Sequence, residues 1–197
     1  VKIHLRDIGH DGKTPDTAYE NAQARERTQI LFDLANMHKG IVIGTGDLSE
    51  AMQGFATFNG DQMSNYSLNA SLTKTEIRYI VGAIAETTEN PKLRRVLEDI
   101  LDTPISPELI SQDKKEISQK TEDIIGPYEL IDFFIYEHLT YHLLAKEILE
   151  DAISAFSDKY DKEIIKRWLI SYFKRFTASQ FKRSTSVDGP NITGRSF

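Results

Sequence analysis

The stretch IVIGTGDLSEAMQGFATFNGDQMSNYSLNASLTKT, residues 41–75, decides the fold of this chain. It opens with an apolar, β-branched run at residues 41–44 and then breaks at Gly44-Thr45-Gly46. An apolar run bounded by glycines predicts a buried strand. The residues that follow are unusually polar for a segment leaving a core, and in open α/β sheets ligands bind beyond the carboxyl ends of the strands. The sequence therefore predicts a site for an anionic ligand and its metal at the end of this strand.

The composition places the chain among ordinary globular domains and excludes several functions. It has 197 residues, 40% hydrophobic and 27% charged, with a formal net charge of −6. That charge argues against binding nucleic acid or a membrane surface through a general basic field. The absence of cysteine excludes disulfides and a cysteine nucleophile within these residues. No apolar run approaches the roughly 20 residues that span a bilayer. A cytoplasmic location is therefore the default expectation.

Helical patterns surround the strand. Asp16 or Thr17, with Glu20, is expected to cap the first helix. Ser49 is expected to cap a short helix that carries Glu50. Thr73 and Glu76 are expected to form a capping box at the start of a third helix. A cation such as Lys74 at a helix start is disfavoured by the helix dipole, which predicts an anion beside it. Residues 1–15 and 103–126 are predicted to be loops. The longer helices are predicted over residues 17–38, 74–88, 92–102, 128–138, 145–157 and 164–181.

Four motifs together resemble one family. They are ENAQAR (residues 20–25), GTGDLSE (44–50) with GDQMSNYSLNASLTKT (60–75), ISPELI (105–110) and SQFKRS (179–184). In this order they resemble the C-terminal part of NAD synthetases, most closely the glutamine-dependent type. The resemblance spans most of the chain.

The resemblance implies a ligase that makes NAD from deamido-NAD. In this family ATP adenylates the nicotinate carboxylate, and ammonia then attacks the acyl-adenylate and releases AMP. Mg²⁺ and cations offset the charge on the phosphates. The ammonia comes from glutamine in the full-length protein, through a separate amidase domain.

The motif positions imply roles for nine residues and no catalytic side chain. Thr45, Lys74 and Ser106 are expected to bind ATP, and Glu50 is expected to ligate Mg²⁺ beside the substrate. Phe55 stands where this family commonly has tryptophan, so a stacking role is weaker there. The residues expected to bind deamido-NAD are Asn21, Arg25, Glu50, Phe55, Phe181 and Lys182.

The same resemblance implies an α/β fold with a Rossmann-like parallel sheet of the adenine-nucleotide alpha-hydrolase kind. We expect this chain to be predominantly helical and to hold only the last strand or two. Residues 1–126 would form a nucleotide-binding half-site and residues 127–197 the C-terminal helices. Because the chain starts at Val1 and lacks the family's phosphate-binding loop and amidase domain, we interpret it as a segment of a longer protein. We expect it alone neither to hydrolyse glutamine nor to make NAD, and to form at least a dimer.

Alternative interpretations stay open at this point. The enzyme could use free ammonia rather than glutamine, or the chain could be a helical interaction module that has lost catalysis. Residue by residue, Asn21 and Arg25 also suit a solvated helix face, and Lys182 with Arg183 also suits helix-dipole complementation. The four motifs favour the enzyme.

Overall fold

The computed structural model describes residues 1–105 and 121–197 of the chain. The prediction of a predominantly helical chain with one or two strands is confirmed within these residues. In chain order the elements are α1 (Lys2–Asp7), α2 (Thr17–Met37), β1 (Ile43–Asp47), α3 (Leu48–Gln53), β2 (Tyr66–Asn69), α4 (Lys74–Thr87), α5 (Pro91–Asp102), α6 (Thr121–Ile125), α7 (Tyr128–Thr140), α8 (Ala145–Phe156), α9 (Lys162–Ala178) and α10 (Gln180–Arg183).

The two strands form a parallel pair, with Ile43 opposite Tyr66 and Gly44 opposite Ser67. The predicted strand is real, but it starts at Ile43 and its expected burial is wrong: Ile41 is 63% and Ile43 43% exposed. A parallel sheet buries its apolar side chains only when helices cover both faces and further strands flank it. The described residues supply two strands, so the apolar start of β1 has too little cover.

β1 leads directly into α3 through a capping box. The Asp47 carboxylate accepts a hydrogen bond from Glu50 N at 3.0 Å, and Glu50 Oε2 accepts one from Asp47 N at 3.3 Å. The prediction that Ser49 caps this helix is therefore wrong, because Asp47 stands at the cap and Ser49 lies in the first turn. The predicted capping box of Thr73 and Glu76 at the start of α4 is confirmed.

The hydrophobic core lies where α3 packs against the C-terminal helices. Leu48 and Met52 of α3 are fully buried there, and they pack with apolar side chains of α7, α8 and α9. The largest of these core side chains are Phe134 and Tyr172, whose ring centroids are 6.2 Å apart. The core therefore fixes α3, and with it the carboxyl end of β1, against the C-terminal half of the chain.

Several boundaries differ from those expected from the sequence. The predicted loop at residues 1–15 contains α1, and the predicted connection at 103–126 ends in α6. In α2, which Asp16 caps, only Ala22 and Ala24 are buried, whereas Leu31 and Leu34 are exposed. The described residues therefore cover the apolar half of α2 only in part. No helix in the described part of the chain combines the length and apolarity required to cross a bilayer.

Candidate functional site

A cleft of about 930 Å³ opens beside the carboxyl end of β1. Its walls come from α2, β1, α3, the loop at residues 54–57, the start of α4 and the end of α9 with α10. Six of the residues singled out from the sequence line it: Asn21, Thr45, Glu50, Phe55, Lys74 and Lys182. Ser106 lies outside the described residues.

Lys74 occupies the centre of a charged cluster in this cleft. Its Nζ lies 2.6 Å from Asp47 Oδ2 and 2.9 Å from Glu50 Oε1. Lys74 is the first residue of α4, where the helix dipole disfavours a positive charge. The two carboxylates compensate for that position, and the ring of Tyr128 lies 5.8 Å from Nζ. The predicted anion beside Lys74 is thus supplied by the capping box of α3.

Burial and mutual charge perturb the titration of this cluster. Burial and the charge of Asp47 raise the pKa of Glu50 to about 7, although Lys74 opposes that effect. Burial alone would lower the pKa of Lys74, but Asp47 and Glu50 together raise it. The lysine is therefore a firmly protonated cation, and Glu50 takes up a proton more readily than an exposed glutamate.

The same two carboxylates suit a hard cation such as Mg²⁺. Asp47 Oδ2 is buried and accepts no aligned hydrogen bond from the described residues, although the Lys74 ammonium group is close. Within the described ranges, no three His, Cys, Asp or Glu side chains cluster as a metal site. Two carboxylates are nevertheless typical of Mg²⁺ sites, because this ion keeps several waters and binds substrate phosphates. The donor set fits the ion, with Asp47 as a contributor that sequence reasoning missed.

A buried aspartate from α7 anchors the start of α4. Ser49 Oγ donates a hydrogen bond to Asp132 Oδ1 at 2.5 Å, and Thr75 N donates to Asp132 Oδ2 at 2.8 Å. Lys74 N in turn donates to Ser49 Oγ at 2.9 Å. Asp132 thus ties α3 and α4 to α7 directly behind Lys74. A single acidic residue inside the apolar segment IDFF was the one sequence signal for this role.

The other predicted substrate residues surround the loop at residues 54–58. Lys182 Nζ donates to Gly54 O at 2.7 Å and to Ala56 O at 2.6 Å, so it holds the loop that carries Phe55. Asn21 Oδ1 accepts a hydrogen bond from Thr57 Oγ1 at 2.8 Å. The cleft side of α2, this loop and α10 are therefore joined by polar contacts.

Arg25 and Phe181 lie outside the lining of the cleft, on the far side of the same loop. Arg25 is exposed, and its Nε donates to Phe58 O at 3.2 Å. The ring of Phe58 packs edge-on against Phe181 at 5.3 Å between centroids, and Phe181 is itself half exposed. Both residues are thus next to the cleft without entering it.

Comparison with known proteins identifies the family. The sequence profile described as NAD synthase matches residues 3–178. Two relatives named "Glutamine-dependent NAD(+) synthetase" are similar over nearly the whole chain. The one from Mycobacterium leprae is 38% identical over 97% of this chain and 32% of its own length. The one from Mycobacterium tuberculosis (strain ATCC 25618 / H37Rv) is 37% identical over 98% of this chain and 32% of its own length.

Solved structures support the fold. A glutamine-dependent NAD(+) synthetase from Cytophaga hutchinsonii superposes with a TM-score of 0.69 at 20% identity, over 95% of this chain and 28% of that one. An NMN synthetase from Francisella tularensis superposes with a TM-score of 0.53 at 22% identity, over 88% of this chain and 56% of that one. The chain spans about a third of the length of the curated relatives that it matches. This chain belongs to the NAD synthase family.

Proposed function

We propose that the chain forms the deamido-NAD- and ATP-binding part of a glutamine-dependent NAD synthetase, a ligase that amidates deamido-NAD through an acyl-adenylate. The observation that carries this proposal is the position of Lys74, which lies between Asp47 and Glu50 at the carboxyl end of β1. Asn21 and Lys182 line the same cleft. A triphosphate and an anionic dinucleotide both require cations and hard-ion ligands that converge in this way.

On the ATP side, the residues would bind and orient the phosphates. A carboxylate is a poor electrophile, so the adenylyl group must be brought to the nicotinate oxygen with its charge neutralised. Lys74 would donate to phosphate oxygens, with the Thr45 hydroxyl and Ser106 as further ATP contacts. Asp47 and Glu50 would hold Mg²⁺, which supplies charge neutralisation when bound.

On the dinucleotide side, the loop at residues 54–58 would present Phe55 to the pyridine ring. Lys182 uses two of its three ammonium donors on loop carbonyls, which leaves one for the substrate. Asn21, Arg25 and Phe181 would complete the contacts, with Arg25 and Phe181 reaching the ligand from the rim. The division of the chain into a nucleotide half-site at residues 1–126 and C-terminal helices at 127–197 is part of this proposal.

The wider setting is proposed from the family. Ammonia would come from glutamine through an amidase domain of the full-length protein, as the names of the relatives suggest. A cytoplasmic location agrees with a sequence that contains no cysteine. Association between copies is supported by the exposed apolar residues of α2 and α5.

Calorimetry with deamido-NAD tests the proposal. We expect the wild-type chain to bind, and Arg25→Ala and Lys182→Ala each to weaken binding at least about tenfold, as lost charge-assisted hydrogen bonds imply. Lys166→Ala removes an exposed charge on α9 and serves as the matched control, with unchanged affinity expected.

Two outcomes would contradict the assigned roles. Wild-type affinity in both variants would remove Arg25 and Lys182 from the site. If the wild-type chain does not bind deamido-NAD at all, the same titration is repeated on the full-length protein. Normal binding by the full-length Arg25→Ala and Lys182→Ala variants would then refute the roles assigned to these residues.

A further inference from the structure

Arg175 lies beside the dinucleotide side of the cleft and has no role so far. It is in the last turn of α9, four residues before Ser179, and it lines the cleft together with Gly54, Phe55 and Lys182. Ser179 packs directly on Gly54, where an added Cβ would overlap its side chain. The guanidinium therefore belongs to the wall against which the Phe55 loop rests.

The Arg175 side chain is half-buried, and none of the described residues pairs with its guanidinium. Within residues 1–105 and 121–197 its guanidinium makes no hydrogen bond or ion pair. The neighbouring Arg183 differs, since it donates to Met52 O, Phe176 O, Ser179 Oγ and Gln180 Oε1. A guanidinium carries five N–H donors, and leaving them unused in a partly desolvated place costs free energy.

Charge repulsion points in the same direction. Burial lowers the pKa of Arg175. Burial also lowers the pKa of Lys182, and there the nearby positive charge of Arg175 adds to the effect while Asp61 opposes it. Two cations therefore stand close together on one wall of the cleft. An anion between them would relieve the repulsion and satisfy the unused donors at once.

We propose that Arg175 binds an oxyanion of the dinucleotide substrate, a phosphate of its pyrophosphate or its nicotinate carboxylate. The identity of this ligand rests on the proposed function, whereas the anion site rests on the structure alone. The planar guanidinium suits both groups, because its two parallel N–H donors match two oxygens of a phosphate or carboxylate. Lys182 would then donate its remaining ammonium hydrogen to the same anion.

The side-chain signal of Arg175 tests this directly. In the chain labelled with ¹⁵N-arginine, the Nε–H signal of Arg175 is assigned by its loss in Arg175→Lys. We expect inorganic pyrophosphate or free nicotinate to shift this signal in the wild-type chain, and deamido-NAD to shift it at lower concentration. If NAD, which has an amide in place of the carboxylate, shifts it equally, the bound group is the pyrophosphate. If deamido-NAD shifts the signal and NAD does not, the bound group is the nicotinate carboxylate.

Affinity supplies the second arm. We expect Arg175→Met to weaken deamido-NAD binding at least fivefold. Arg175→Lys should weaken it less, because lysine keeps the positive charge and loses only the two parallel N–H donors of the guanidinium. Lys174→Met removes one positive charge from the exposed side of the same helix and should change the affinity less than twofold. Thermal melting of each variant by circular dichroism confirms that it folds.

The outcomes separate this inference from the proposed function. If deamido-NAD binds without shifting the Arg175 signal, or if only ATP shifts it, the inference is overturned and the proposed function stands. If pyrophosphate or nicotinate shifts the signal but no dinucleotide binds, the oxyanion site stands and its assigned substrate is wrong. If none of these anions shifts the signal, the oxyanion site itself is refuted.

Discussion

Asp132 is a single residue on which the geometry behind Lys74 depends. Each of its carboxylate oxygens accepts one hydrogen bond, from Ser49 Oγ and from Thr75 N. The side chain is buried, and burial disfavours the charged form. Burial raises the pKa of Asp132 to about 6, with a further contribution from Asp47, while the hydrogen bonds from Ser49 and Thr75 oppose the shift. Keeping this carboxylate ionised in the folded protein therefore costs folding free energy, and that cost depends on pH.

Replacing Asp132 by asparagine should remove this pH dependence. The folded-state pKa of about 6 lies above the ordinary 3.8, so the stability that this group contributes is fully present below about pH 4 and lost as the pH rises through 6. The loss corresponds to about 3 kcal/mol. We therefore expect the free energy of unfolding of Asp132→Asn, measured with urea, to rise relative to wild type by about that amount between pH 4 and 7.

An exposed aspartate provides the control for that experiment. Asp158→Asn on the loop after α8 should give a stability curve parallel to that of the wild type over the same pH range. A parallel curve for Asp132→Asn as well would contradict the raised pKa. The comparison also cancels the titration of every other group, since those groups are shared by the three proteins.

Sequence reasoning identified residues that stand out by a local feature of the chain and missed those that are marked only by a distant contact. Lys74 stood out because a cation at a helix start requires an anion. Ser49 was mistaken for a cap, although the Asp47-x-x-Glu50 spacing of a capping box was visible. Asp132 lies 83 residues from Ser49, so no local pattern could place them together. Arg175 is distinguished by the lack of a partner among the described residues, which only a structure can show.

At the scale of elements, the C-terminal segment at residues 188–195 supports the start of α4. Asp188 O accepts a hydrogen bond from Ser67 N of β2 at 2.8 Å. Ile192 N donates to Ser71 Oγ and the Thr193 hydroxyl to Ser71 O, both at 2.9 Å. The buried Arg195 pairs with Glu76, the capping-box partner of Thr73. A segment without helix or strand pattern thus braces the helix that carries Lys74.

Gly189 allows this segment to lie against β2. A Cβ at this position would overlap Ser67 O and lie 2.6 Å from Ala70 Cβ. We expect Gly189→Ala to lower the free energy of unfolding by about 1–3 kcal/mol, a typical cost of overpacking. Hydrogen exchange should show faster exchange of the Ser67 amide, which loses its bond to Asp188 O.

Gly40→Ala is the matched control for the glycine substitution. A Cβ at Gly40 meets only Ala35 O, at 4.0 Å, so this variant should keep wild-type stability and Ser67 protection. Equal exchange of the Ser67 amide in Gly189→Ala and wild type would show that the segment does not depend on the close approach. In that case the contact between residues 188–195 and β2 would contribute little to the position of α4.

For the whole molecule, the sequence predicted the fold class but not which apolar side chains are buried. Helical periodicity located α4, α5, α7 and α8 well, because their apolar spacing is a local property. Burial depends on neighbours, and several apolar side chains have too few among the described residues to be buried. These include Leu31 and Leu34 of α2 and Ile41 and Ile43 at the start of β1. The chain spans about a third of the length of its relatives, and sequence periodicity cannot tell which face another segment or copy would cover.

The strongest uncovered apolar stripe is on α5. None of its residues, Pro91–Asp102, is buried in the described structure, and Val96 and Ile100 are each 54% exposed. Among the described elements its main packing partner is α4, and Leu93 of α5 is also 41% exposed. Contiguous exposed apolar surface of this kind is typical of an interface between proteins. We expect copies of the chain to associate through α5.

Sedimentation velocity at increasing protein concentration measures this association. The wild-type chain should shift from monomer toward dimer, and Val96→Glu combined with Ile100→Glu should weaken the association at least about tenfold, because two carboxylates would have to be desolvated in the interface. Ser154→Glu combined with Thr177→Glu adds the same charge at exposed positions of α8 and α9 and should leave association unchanged. A wild-type chain that stays monomeric at every concentration, or a control that dissociates equally, would mean that the α5 stripe does not join copies of this chain.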